Sequence, residues 1–270
     1  MDIGTVLTAM GLSIFAGLST GIGGLLLLLF RKINKKMLSV ALGFSAGVMI
    51  YISFMEMLPQ SMDYLHKSMG QKGGDWVSFL SFFAGILLIA IIDKLVPEKD
   101  NPHEIHNVER LDVCGFGQDA NKMLKTGKMA VLAITIHNFP EGLASFVSGI
   151  SNLHLGIAIA VAVAIHNIPE GISVALPIYC ATGDKKKAFL TSLYSGLAEP
   201  IGAILAFLIL SPFLNDTIFG IIYGIIAGIM VYISLDELLP SAKEYGEHHL
   251  SILGLIVGMA VMGLSLLLLL

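Results

Sequence analysis

Eight apolar runs dominate this chain, and each is long enough to cross the roughly 30 Å hydrocarbon layer of a bilayer as a helix. They cover about residues 3–30, 37–59, 75–96, 128–150, 154–180, 188–210, 217–240 and 250–270. No water inside lipid can satisfy an open strand edge, and none of the runs alternates as a barrel strand would. The expected fold is therefore an all-α membrane bundle. Composition agrees with that class: 55% of residues are hydrophobic and only 13% charged, and the mean hydropathy is +0.82. The first run is read as a retained helix, not a cleaved leader. Its charges, Arg31, Lys32, Lys35 and Lys36, follow the apolar stretch, whereas a leader carries them in front. The first and fifth runs exceed the bilayer thickness, which implies tilt.

Basic residues give an orientation. The first, third, fifth and seventh loops hold or border fourteen of the sixteen Lys and Arg side chains, including the segment at about 97–127. Only Lys67 and Lys72 fall in the even loops. Odd loops are then cytoplasmic and both termini lie outside. The net charge of −4 is spread over short loops and buried carboxylates and selects no partner class. With no basic aromatic surface, nucleic acid is not an expected partner. Cys114 and Cys180 are read as separate thiols, forming neither a disulfide framework nor a thiolate metal site.

A repeat is concealed in the apolar background. Residues 47–61, GVMIYISFMEMLPQS, align without gaps to 228–242, GIMVYISLDELLPSA. Gly17-Leu18 and Ile22-Gly23 are echoed more weakly by Gly196-Leu197 and Ile201-Gly202. Helices two and seven run in opposite directions in an eight-helix chain, so the first three and last three helices are expected to be inverted copies. Helices four and five form the pair between them, giving a 3+2+3 bundle. Transporters that work by alternating access are built this way, with the site near the midplane.

Two hexads inside the fourth and fifth runs carry the chemistry: His137-Asn138-Phe139-Pro140-Glu141-Gly142 and His166-Asn167-Ile168-Pro169-Glu170-Gly171. Ionisable groups at bilayer depth are costly, which makes them functional candidates by default. On a helix, positions i, i+3 and i+4 share a face, so His137, Asn138 and Glu141 converge, as do His166, Asn167 and Glu170. Each Pro lacks the N–H that would bond the carbonyl four residues back, freeing Ile136 and Ile165. Glu199, in Gly-Leu-Ala-Glu-Pro, adds a carboxylate from a third helix. Three buried carboxylates repel unless protonated or metal-bound, and one divalent ion, or two bridged by Glu141 and Glu170, would resolve the conflict. Imidazole, amide and carboxylate together suit Zn²⁺, Fe²⁺, Mn²⁺ or Co²⁺, whereas Cu⁺ prefers thiolate.

Glu56 and its repeat partner Glu237, with Asp236, fall at opposite ends of their helices. They are either entrance and exit carboxylates for a hydrated cation or helix-end groups paired with Lys67 and Lys243. Tyr51 and Tyr232 are read as interfacial or packing aromatics.

The doubled His-Asn-x-Pro-Glu-Gly, Ser-Gly-Leu-Ala-Glu and Asp236-Glu237-Leu238-Leu239-Pro240 segments resemble the ZIP family of divalent metal transporters, its bacterial ZupT branch in particular. The resemblance covers nearly the whole chain. It implies an eight-helix 3+2+3 fold and a binuclear site between helices four, five and six. One metal would use His137, Glu141, His166 and Glu170, with direct ligation by His137 left open. The other would use Asn138, Glu141, Asn167, Glu170 and Glu199. It implies movement of zinc and related cations into the cytoplasm as transported ligands, with no prosthetic group. Many relatives have a long His-rich loop between helices three and four, whereas His103 and His106 alone stand there, so that loop is read as a solvated linker. Glycine-rich apolar helices are compatible with a homodimer but do not specify one. Two rival classes have weaker support. An intramembrane metal hydrolase would want His-Glu-x-x-His or a Gly-x-Ser-x-Gly elbow, and neither stands out. A metal sensor without flux is not distinguished by sequence.

Overall fold

A computed structural model of the chain describes residues 2–29, 35–95, 120–213, 215–245 and 248–269. Every regular element among them is helical. In chain order these are α1 Ile3–Leu29, α2 Lys35–Ile52, α3 Leu58–Leu95, α4 Ala120–Ser151, α5 Leu153–Thr182, α6 Lys185–Gly196, α7 Ala198–Leu210, α8 Asp216–Ile233, α9 Leu239–Tyr245 and α10 His248–Leu269. Single π-helical turns, Ser53–Met57 and Ser234–Leu238, join α2 to α3 and α8 to α9. Arg31, Lys32 and the segment 96–119, with His103, His106 and Cys114, lie outside the described residues.

Local chemistry sets the helix ends. Asn152 Oδ1 accepts from the N–H groups of His154 and Leu155 and starts α5. Asp184 does the same for α6 through Lys187, and Asn215 for α8 through Ile218. Gly183 closes α5 at φ 66°, a left-handed stop that a side chain would strain. Helices also run past the apolar stretches. α4 already begins at Ala120, inside the segment read from sequence as loop to about residue 127. α3 continues from the π turn and reverses at Gly70 (φ 74°, ψ 167°), where His66 Nε2 lies 2.7 Å from Asp75 Oδ1 across the bend. Hydropathy marks the depth of lipid, while backbone hydrogen bonding carries the helix on into the interface. Cys180 is disulfide-bonded, which corrects the reading of Cys180 as a separate thiol.

Six described segments are long and apolar enough to cross a membrane. One of them, Lys36–Lys94, has 59 residues and contains the Gly70 reversal. The outward face is apolar, with Trp76, Leu87, Leu264 and Leu267 all more than half exposed. The interior by contrast holds His137, Asn138, Glu141, His166, Asn167, Glu170 and Glu199, each at most 2% exposed. That inverts the partition of a water-soluble domain.

Contacts recur in matched pairs across the two halves. Ser39 Oγ donates to the Ala242 carbonyl (2.6 Å), and Ser61 Oγ, the repeat partner of Ala242, donates to Gly220, the partner of Ser39 (2.7 Å). The π turns occupy the same register of the repeat, each preceded by a serine bond: Ser53 Oγ to Met49 and Ser234 Oγ to Met230, both 2.7 Å. A Cβ on Gly47 would meet the Leu255 carbonyl, and one on Gly228 would meet that of Phe82. Gly17 and Gly196 face each other, so that a Cβ on either would strike the other's carbonyl.

The helices sort into two groups. α1, α4, α5, α6 and α7 pack on one another, as do α2, α3, α8, α9 and α10. The groups meet mainly where α2 and α10 lie against α5 and where α8 lies against α4.

Candidate metal centre

The site grows from the α4–α5 hairpin. Its tight turn at Asn152 makes the two helices antiparallel neighbours, and each presents the i, i+1, i+4 side chains of its hexad inward. The glycine ending each hexad lets a third helix approach. A Cβ on Gly142 would overlap the Glu199 backbone, and one on Gly171 would overlap the Thr20 carbonyl. α7 is thereby pressed onto α4, and α1 onto α5. The α6–α7 helix breaks at Leu197, because Pro200 cannot donate to the Gly196 carbonyl. The break leaves the Ser195 carbonyl to accept from Asn138 Nδ2 (3.2 Å) and places Glu199 in the first turn of α7.

His166 Nε2 donates to Glu141 Oε1 (2.8 Å). His137 Nε2 stands 3.2 Å from the same oxygen and 3.5 Å from Glu170 Oε1. Ligand atoms of His137, Glu141 and Glu170 all lie within 4.8 Å of one another. On the other side, Asn167 Nδ2 donates to Glu199 Oε1 and to the Ala16 carbonyl. Six of the seven residues singled out in the sequence are thus joined by direct contacts or one shared cluster. The seventh, Asn138, is tied to the α6 end.

What these bonds leave over is informative. Asn138 Oδ1, Glu141 Oε2, Asn167 Oδ1, Glu170 Oε2 and Glu199 Oε2 are all buried without a hydrogen-bond partner. An unsatisfied buried polar group costs about 1–3 kcal/mol, and these five acceptor oxygens come from three helices, two of them on carboxylates of the His137–Glu141–Glu170 cluster. His137 Nδ1 and His166 Nδ1 are likewise unpartnered. A divalent cation satisfies such a set and offsets the repulsion of three carboxylates.

Sequence reasoning missed three participants. Ser45 of α2 donates to Glu170 Oε1 (3.0 Å) and lies 3.4 Å from the His166 carbonyl. It sits in an unremarkable Phe-Ser-Ala-Gly stretch, and no spacing marks it. The Ala16 and Ser195 carbonyls are backbone groups that any residue would supply. The other candidates stand outside the cluster. Glu56 is half-buried in the first π turn, where Gln60 Nε2 donates to its Oε1 (3.1 Å). Lys67, offered by the sequence as its partner, sits over the Tyr64 ring at 5.2 Å. Asp236 and Glu237 are half-buried in the second π turn.

Comparison with known proteins decides the family. The family model described as ZIP zinc transporter matches residues 7–115 and 116–266. The chain belongs to the ZIP zinc transporter family. Over 261 residues it is 55% identical to the zinc transporter ZupT of Streptococcus mutans serotype c, covering 97% of each chain. It is 54% identical over 263 residues to ZupT of Chlorobium chlorochromatii, with 97% of this chain and 98% of that one covered. ZupT of Clostridium perfringens is 52% identical over 278 residues, at 99% and 98% coverage. The chain is therefore a multi-pass membrane protein of a transporter family, not of an enzyme family.

Proposed function

We propose that this protein carries divalent metal cations, zinc foremost and iron, manganese and cobalt with it, into the cytoplasm through a binuclear centre between α4, α5 and the α6–α7 helix. The observation that carries the reading is the buried His137–Glu141–Glu170 cluster together with the five unpartnered oxygens of Asn138, Glu141, Asn167, Glu170 and Glu199. Four side chains, His137, Glu141, His166 and Glu170, hold one cation. Asn138, Glu141, Asn167, Glu170 and Glu199 hold the second, with Glu141 and Glu170 shared. Each carboxylate has one oxygen engaged by a neighbour and one unpartnered, as a bridging or terminal ligand needs. The relatives' printed name, zinc transporter, supports zinc as the leading substrate. The mixed donor set accommodates the other three.

The architecture we assign is 3+2+3. α1, α2 with the first part of α3, and the rest of α3 form the first repeat. α4 and α5 form the central pair, and α6–α7, α8–α9 and α10 form the inverted copy. Counted this way the chain crosses eight times, with both termini outside by the distribution of Lys and Arg. The reciprocal Ser39–Ala242 and Ser61–Gly220 bonds support the inversion. Transport follows from rocking of the α1/α4–α7 group, which holds all seven proposed ligands, against the other. Glu56 on the outer side and Asp236 with Glu237 on the inner side attract the cation at the two mouths.

The test is influx of Zn²⁺, Fe²⁺ and Mn²⁺ into proteoliposomes, with Glu141→Gln as the blank. Influx that vanishes in the variant is expected. Metal bound without flux would replace transport by sensing, and metal-dependent bond cleavage would replace it by hydrolysis.

A further inference from the structure

One contact between the two helix groups does not belong to the metal centre. Tyr223 of α8 is fully buried and is the largest such side chain among the described residues. Its hydroxyl donates to Ser148 Oγ (3.0 Å) and lies 3.1 Å from Ser151 Oγ, both on α4. The ring is held from behind: Tyr64 stacks on it at 5.8 Å and 10°, and Phe219 stacks on Tyr64 at 5.3 Å. The aromatic stack is anchored in the α3–α8 group, while the hydroxyl reaches across to the other group.

The α4 face that Tyr223 clasps leads to the metal centre. Glu141, Ser145 and Ser148 follow at i+4 and i+3, one above another on the helix. Ser145 Oγ is buried, 0% exposed, and has no hydrogen-bond partner. A hydroxyl left unsatisfied one turn from the Glu141 carboxylate costs stability in this state and is free to meet a hydrated cation in another. In the repeat, Leu42 of α2 occupies the place of Tyr223, so the clasp exists at one end of the molecule only. That end carries the α4–α5 turn and the start of α8, the outer face in the orientation assigned above.

We propose that Tyr223, through Ser148 and Ser151, is the outer gate of the metal path and that Ser145 is the step inside it. This rests on the transport reading, since a gate needs a path. Closed, the hydroxyl ties α8 to α4 and seals the serine face. Opening parts the two hydrogen bonds as the groups rock, while the Phe219–Tyr64–Tyr223 stack stays intact.

The experiment uses the full chain in whole cells and a membrane-impermeant thiol reagent, with the unsubstituted protein as blank for Cys114 and Cys180. Ser145→Cys reports access. Labelling of Ser145→Cys is expected to be slow, and to accelerate about fivefold or more when Tyr223→Phe is added, the effect of one lost hydrogen bond on a two-state equilibrium. Tyr223→Phe keeps the ring and its stack. Ser148→Ala removes the same bond from the α4 side and should act alike, so a folding failure in one variant leaves the other to decide. Equal labelling with and without the hydroxyl, or labelling from the cytoplasmic side only, would overturn the gate. Zinc influx by the unsubstituted protein is measured separately. Its absence with accelerated labelling would sink transport and spare the gate as a conformational clasp, whereas influx with unchanged labelling would do the reverse.

Discussion

Substituting Gly142 by Ala adds one methyl group where α4 meets α7, and its consequence can be worked from the packing. The new Cβ would overlap the carbonyl, carbonyl carbon and Cα of Glu199, all backbone atoms. No rotamer change can relieve a backbone clash, so the two helices must part. Restoring an ordinary contact of about 3.5 Å takes a shift of roughly 1.5 Å. Overpacking of this kind costs about 1–3 kcal/mol, of which the better helix propensity of Ala returns about 1. The net penalty, roughly 0–2 kcal/mol, leaves the protein folded and in the membrane. The displaced element, however, is the turn that holds Glu199. A misplacement of about 1 Å in a reacting group is worth about a hundredfold in rate. Zinc influx normalised to protein in the membrane should therefore fall by at least about that factor. Gly171→Ala should behave alike, since its Cβ would overlap the Thr20 carbonyl on the far side of the site. Gly11→Ala is the control: nothing lies within 4 Å of a Cβ there, so influx should be unchanged. Wild-type influx by Gly142→Ala would refute the role assigned to this close approach.

Glu141→Gln removes a charge that the proposed binuclear centre shares between its two cations and should lower zinc influx at least about 100-fold, beyond what outer-shell changes produce, with membrane levels unchanged on immunoblots. Glu199→Ala removes a ligand of the proposed second cation alone, so competition between Zn²⁺, Fe²⁺ and Mn²⁺ should show altered preference more than lost flux. Equal loss for all three metals would count against separate roles. Asn215→Ala deletes the cap of α8 and should cost about 1 kcal/mol, read as a lower melting temperature in detergent with zinc binding retained.

The helical class and the inward set were legible because each rests on a strong local rule. Apolar length dictates helices in lipid, and the doubled His-Asn-x-Pro-Glu-Gly spacing puts His137, Asn138 and Glu141 on one face whatever surrounds them. Gly142 and Gly171 were visible as letters of that motif, but the reason for them, a neighbouring backbone, belongs to tertiary packing. Ser45 was hidden for the same cause, since it reaches Glu170 from a helix 125 positions away in sequence. The start of α4 at Ala120 was missed because Lys122, Lys125 and Lys128 end the apolar run without ending the helix. The π turns needed coordinates as well. The repeat places Ser53–Met57 and Ser234–Leu238 in register, yet nothing in their sequences announces a widened turn.

The most direct test is anomalous scattering at the zinc edge from crystals of the zinc-loaded protein. Two peaks are expected, a bridging distance apart, between α4, α5 and α7, with Glu141 and Glu170 touching both and Glu199 touching one. A single peak held only by the histidines and one carboxylate, or none within this cluster, would contradict the binuclear centre.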